Sequence, residues 1–167
     1  GVVTGLAAGE HDITLVLDFL NTIDIETGTD VLDDAANWGR WARSRQLGEG
    51  GPARQARAVR DALRASVGDP RPVPGAGDVA ATIHVRLDRG GPTLAPVDPL
   101  GAVLASATRL AVLGDWGRIK ICPADDCHWA FFDRSRNRSR TWCSMRVCGN
   151  REKARVWRER ARAAVPS

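Results

Sequence analysis

The chain has 167 residues, 43% of them apolar and 26% charged, which is enough material for a core and excludes a disordered chain. Its longest apolar run, Ile13 to Leu20, is broken by Asp18 and falls short of the ~18 residues of a membrane span, so no membrane association is expected. The net charge of +4 conceals a division: residues 1–117 carry 11 Arg against 15 Asp and Glu, a net of −4, whereas residues 118–167 carry 13 Lys and Arg against 5 Asp and Glu, a net of +8. Such asymmetry predicts a basic carboxyl-terminal part that faces a polyanion. A GC-rich genome would explain why only Lys120 and Lys153 are lysine, but not why the charge collects at one end.

Residues 13–24 read as a helix, with Ile13, Val16, Leu17, Leu20 and Ile23 at helical spacing and Asp12 as its cap. The β-branched residues leave a strand over Ile13 to Leu17 as the alternative. Residues 30–46 read as a second helix, capped by Asp30, with Val31, Leu32, Ala35, Trp38 and Ala42 inward. Residues 52–67 read as a third, with Pro52 in its first turn and Gly68 at its end; Arg54, Arg57, Arg60 and Arg64 form its expected solvated face. Residues 69–77 read as a loop or linker. Val79 to Leu87 alternates like a half-buried strand, with Thr93 to Val97 as its hairpin partner, and residues 99–113 read as a further helix. Arg118 to Ile121 reads as a short strand leading into the cysteines.

All four cysteines lie in one segment, spaced Cys122-x4-Cys127-x15-Cys143-x4-Cys148. Two close pairs separated by a hairpin-length span are the pattern of a tetrahedral zinc site, and four thiolates leave no open position, so a structural Zn2+ is expected. The alternatives are four free thiols, two disulfides or an iron–sulfur cluster; a disulfide protein would spread its cysteines through the chain. His128 is read as a knuckle residue rather than a ligand.

Between the pairs, residues 129–142 read as two strand ends around a Ser/Asn/Arg turn, with Arg134, Arg136, Arg138 and Arg140 projecting to one side. Their alternative is a solvated loop tip. Beyond Cys148, the chain reads as a helix whose stripe of Val147, Ala154, Trp157 and Ala161 packs on the zinc core. Arg151, Arg155, Arg158 and Arg162 line one flank of that stripe; Arg146, Lys153 and Arg160 line the other. These basic residues are candidate nucleic-acid contacts, with duplex DNA the expected partner.

The run WAFFDRSRNRSRTWCSMRVCGNR, with Cys148-Gly149-Asn150-Arg151 at its end, resembles the CGNR zinc finger, and LVLDFLNTID at residues 15–24 resembles the ABATE domain. That resemblance implies a bacterial, cytoplasmic transcriptional regulator, often linked to stress response. Asp18, Asn21 and Thr22 match the family's DFxNT run. They are candidates for lining a small-molecule site, although bonding to neighbouring backbone is the favoured reading. The expected architecture is α+β: residues 1–117 form a mainly helical regulatory or ligand-binding domain with a β-hairpin, and residues 118–167 form a treble-clef-like zinc finger. The expected function is DNA binding. The alternative is a protein-interaction module with a purely structural finger, and a homodimer is left open. No nucleophile–base pair, phosphate loop or open metal site points to an enzyme.

Overall fold

The computed structural model describes residues 5–71 and 79–165, with the backbone alone at 5–8 and 145–146. Five α-helices lie among the described residues: α1 (Gly5–Leu20), α2 (Ala35–Ser44), α3 (Ala53–Ser66), α4 (Pro99–Val112) and α5 (Asn150–Ala163). Six short strands pair as three antiparallel hairpins: β1 (Ile23–Asp24) with β2 (Thr29–Asp30), β3 (His84–Asp88) with β4 (Gly91–Ala95), and β5 (Ile119–Ile121) with β6 (Ala130–Phe132). The fold is therefore α+β, with a cysteine cluster at its carboxyl-terminal end. Most of the 69–77 linker reading lies outside the described residues.

α1 is the central helix because it is apolar on two sides. Leu15 and Phe19 face one core with Leu32, Trp38, Trp41, Ala42, Ala56, Val59, Leu100 and Val103. Within it, Phe19 lies 5.8 Å from the Trp38 ring and 5.9 Å from that of Trp41. Ile13, Val16 and Leu20 face a second core with Ala107 and Leu110 of α4 and with Ile119 and Ala130 of the β5–β6 hairpin. The cysteine-bearing hairpin is thus seated directly on the helical part.

Several features differ from the sequence reading. The helix expected over 13–24 spans Gly5–Leu20 instead, and Ile23–Asp24 pair as β1. Asp12 does not cap α1. It is buried within the helix and accepts hydrogen bonds from Ser106 Oγ at 2.8 Å and from Arg109 Nε at 2.9 Å. The helix expected over 30–46 is split, because two aspartates each cap their own start. Asp30 accepts from Leu32 N at 2.8 Å and opens a 3-10 turn over Val31–Asp33; Asp34 then accepts from Ala36 N at 2.7 Å and opens α2. The β3–β4 hairpin forms, but no buried face results: Val85 is 61% exposed and Leu87 77%, since among the described residues β3 pairs only with β4.

The arginines of α3 are a further correction. Arg60 and Arg64 are buried rather than solvated. Arg60 grips Asp30 through Nη1 at 2.6 Å and Nη2 at 2.9 Å, a bidentate pair that ties α3 to the start of the 3-10 turn. Arg64 donates from Nε to Asp69 at 2.6 Å and from Nη1 to Leu20 O at 2.9 Å. A buried charge persists only when so paired, because stranding it costs several kcal/mol.

Burial alone would raise the Asp69 carboxyl, but hydrogen bonds from Arg71 and Arg64 overcome it and pull the group down to about 2. A carboxylate with a depressed folded pKa stabilises the fold above its ordinary value and loses that contribution as pH falls through the folded one. Asp69→Asn is expected to lower the unfolding free energy by about 2 kcal/mol at neutral pH. In urea denaturation across a pH series, the gap from wild type should narrow as the pH drops below about 4 and close near 2.

Candidate metal centre and basic surface

The first cysteine pair is delivered by the β5–β6 hairpin. Cys122 N donates to Trp129 O at 2.9 Å, closing the strand ends around a tight knuckle. Within it, Cys127 N and His128 N both donate to Ala124 O, at 2.9 and 3.3 Å, and His128 takes a left-handed backbone with φ of 49°. The second pair comes from the entry to α5. Cys143 lies in the preceding loop, and Cys148 in a wide turn over Met145–Gly149 that closes with Gly149 N donating to Ser144 O at 3.1 Å.

The four Sγ atoms lie within 4.8 Å of one another, with Cys127 to Cys143 at 3.6 Å and Cys143 to Cys148 at 3.4 Å. A zinc–sulfur bond of ~2.3 Å gives a tetrahedral edge of about 3.8 Å. The thiols therefore stand close to the spacing a metal tetrahedron needs, and too far apart for the ~2.05 Å of a disulfide. The cluster is closed, with Ala124, Phe131 and Trp142 packed around it. Cys122, Cys127, Cys143 and Cys148 are the residues that would hold the ion, a soft sulfur set that suits zinc in a structural role.

Burial pushes the Cys127 thiol up to about 11, and it raises Cys143 as well. Cys148 moves the other way. Burial opposes its ionisation, but the Cys143 thiol and Arg151 Nη2, 3.3 Å from its sulfur, outweigh that and lower it. Arg151 also reaches Asp126 at 2.9 Å, so it braces both halves of the cluster.

Three contacts seat the knuckle on the helical part. Asn21 bonds the backbone of Ala130 in both directions, accepting from its N–H at 2.8 Å and donating to its carbonyl at 2.9 Å. Arg64 Nη2 donates to His128 O at 2.6 Å, and Arg134 forks onto Glu10 at 2.7 and 2.8 Å. Thr22 Oγ donates to Phe19 O at 2.7 Å, and Asp18 pairs with Arg45 at 3.3 Å. The structure thus directs Asn21 and Thr22 at backbone and Asp18 at the Arg45 guanidinium.

The expected hairpin over 129–142 is not formed; β6 pairs backwards with β5 instead. The reason is Asp133, which is fully buried. Its carboxylate accepts from Ser135 N at 2.9 Å, Ser135 Oγ at 2.5 Å, Arg140 N at 3.0 Å and Lys120 Nζ at 2.7 Å. Residues 133–140 therefore wrap around one acid and cannot extend. Lys120 also donates to the carbonyls of Arg138 and Arg140, at 2.7 and 2.8 Å, which pins the loop from beneath.

This wrapping separates the candidate arginines. Arg138 reaches Gly114 O at 3.2 Å. Arg140 lies 4.8 Å over the Phe131 ring and donates to Trp142 O at 3.0 Å and to Cys143 O. Arg155 pairs with Glu152 at 2.9 Å and Glu159 at 2.5 Å. Among the described residues, Arg136, Lys153, Arg158, Arg160 and Arg162 are exposed and make no ion pair or side-chain hydrogen bond. The Arg146 side chain lies outside the described residues.

α5 is also turned the other way from its sequence reading. Val147, Ala154, Trp157 and Ala161 are all exposed, Trp157 to 71%, whereas Glu152 and Val156 are the more covered positions. The phase is set by Cys148, which must face the cluster. Residues four and eight further on follow it inward, whereas Trp157, nine further on, lies about two and a half turns away and so on the opposite side. Counting from the cysteine would have found this; counting apolar residues did not.

A knuckle-bearing hairpin followed by a helix, with the last cysteine in the turn that leads into that helix, defines a small four-cysteine metal-binding finger. The family model of the CGNR zinc finger matches residues 118–161, which contain all four cysteines. A comparison with curated proteins finds no match.

Freshly purified protein is expected to carry one zinc per chain by elemental analysis, and Cys148→Ser to lose it to a chelator that leaves wild type loaded. Asn21→Ala should cost about 2 kcal/mol, from two lost bonds to the backbone of Ala130, which is buried in β6. Faster hydrogen exchange at the Ala130 amide, with slow exchange retained in the centre of α4, would mark the finger lifting from its seat.

Proposed function

We propose that this protein is a bacterial transcription regulator that binds DNA through its finger. Residues 1–117 act as an ABATE-like regulatory or ligand-sensing domain, the zinc is structural, and no catalytic step is involved. The observation that carries this reading is the set of unpaired cations on α5: Lys153, Arg158, Arg160 and Arg162 are exposed and without partners among the described residues. Side chains engaged in holding the loop, such as Arg140, are subtracted from the binding surface; those on α5 remain. The segment's formal +8 falls to about +6 once a zinc–thiolate cage of roughly −2 is counted. That excess still favours a phosphate backbone over a neutral partner.

A second reading, a protein-interaction module with a purely structural finger, draws on the exposed Val85 and Leu87 of the β3–β4 hairpin. A salt series on duplex DNA separates the two. DNA binding predicts affinity that falls with a log–log slope near −0.9 for each phosphate neutralised. Arg158→Ala and Arg162→Ala are each expected to reduce that slope by about one, whereas Arg140→Ala should lower stability and leave the slope unchanged. No binding at low salt would overturn the DNA reading and favour the interaction module.

A further inference from the structure

We propose that α5 lies in the major groove of duplex DNA with Trp157 on the base edges, where its indole packs against thymine methyl groups. This rests on the nucleic-acid reading above and gives it a partner, a groove and a base preference.

The argument starts from the helix surface. At ~100° per residue, Ala154, Trp157 and Ala161 fall within a sector of about 60°. Arg158 and Arg162 stand on one side of that ridge, and Lys153 and Arg160 on the other. All seven residues are exposed, and the four cations have no partner among the described residues. α5 packs chiefly on the turn that precedes it, so its outward face is uncovered.

Two basic rows separated by an apolar ridge match a partner with two lines of phosphate and a floor between them. The major groove of B-DNA, ~12 Å wide, admits a helix of ~10–12 Å and presents one phosphate strand on each wall. A single strand offers only one line of phosphate. The major groove of A-form RNA is too narrow for side chains to read. A membrane surface would want a broad apolar face, and one indole between two alanine methyls is too little to hold a helix in lipid.

The ridge also limits what can be read. Ala154 and Ala161 are short, so the helix axis can approach the floor closely, and Trp157 projects beyond them. These three side chains offer one donor, the indole N–H, and otherwise only carbon. The one apolar feature on the major-groove floor is the C5-methyl group of thymine. Contact there removes both the methyl and the indole from water, a gain that neither duplex RNA nor a thymine-free duplex can supply.

The test uses the full-length, zinc-loaded chain and fluorescence anisotropy. The probes are an A·T-rich duplex, the same duplex with uracil in place of every thymine, its single strand and the RNA duplex of the same sequence. Wild type is expected to bind the uracil duplex about fourfold more weakly for each thymine methyl in contact. Trp157→Ala should lose a similar factor on the thymine duplex, show no further thymine–uracil difference, and keep the wild-type salt slope. Trp157 is exposed, so this variant should fold normally. If wild type binds the thymine and uracil duplexes equally and Trp157→Ala matches it, the groove proposal fails while DNA binding stands. Tighter binding to the single strand or the RNA duplex would also overturn it, as would Trp157-dependent binding to phosphatidylserine vesicles in place of DNA. Absence of binding to every nucleic acid at low salt would instead remove the function on which the proposal rests.

Discussion

The guanidinium of Arg64 joins three parts of the chain at a single group. It is fully buried, and its nitrogens reach Leu20 O at the end of α1, His128 O in the cysteine knuckle and the Asp69 carboxylate beyond its own helix. A buried cation with its acceptors in place is close to neutral for stability; with one acceptor withdrawn it is costly, by roughly 3–5 kcal/mol. Any movement of the knuckle away from α1 therefore leaves part of this charge unsatisfied. Asn21 adds to the same constraint, since its amide is matched to the Ala130 backbone in both directions. The finger is too small to fold on its own apolar surface. It has two supports: the cysteine cluster on one side of the β5–β6 hairpin, and the α1–α4 surface under Ile119 and Ala130 on the other.

The same logic divides the arginines. In the sequence they form one basic class, and the +8 of residues 118–167 looks like a single field. In the fold, buried acids and carbonyls claim a large share of them. Asp133 organises the loop that carries four arginines, and Arg118 donates to the carbonyls of Asp133 and Ser135 at 3.0 and 2.9 Å. Arg134 is held by Glu10, from the other end of the chain. Among the described residues of this segment, the cations left without a partner are Lys153, Arg158, Arg160 and Arg162 on α5 together with Arg136. Net charge thus overstates the free cations, and hydrogen bonding decides which of them remain unpaired.

What the sequence made legible was local. The helices over 52–67 and 99–113 stand within about a residue of α3 and α4, because Pro52 and Gly68 mark the ends of the first on the spot and Gly114 follows the second; the Asp98 cap of α4 is what the structure adds. The cysteine cluster was legible because spacing alone brings two pairs to one point. What was not legible depended on distant partners. Arg60 looks solvated until Asp30 is brought beside it, thirty residues away in the chain. Asn21 looks like a helix-end residue until Ala130 arrives, 109 residues later. Asp12 looks like a cap because nothing nearby in sequence reveals Arg109. In each case a polar residue was assigned to solvent or to its own backbone, although its partner lay in another element.

The orientation of α5 was open to two opposing cues, and their magnitudes decide between them. Burying a large apolar side chain is worth ~1.5–3 kcal/mol, so the apolar stripe argues for turning Trp157 inward. A zinc held by thiolates is worth ~10–16 kcal/mol of folding free energy, so Cys148 argues more strongly for facing the cluster. Cys148, in the turn that leads into α5, and Trp157 within it point to opposite sides and cannot both face inward. The ligand prevails, Glu152 and Val156 follow it, and the indole is left in water. Its exposure thus goes with the inward turn of Cys148 toward the cysteine cluster, and it places the largest apolar side chain of α5 on the side where the unpaired cations stand.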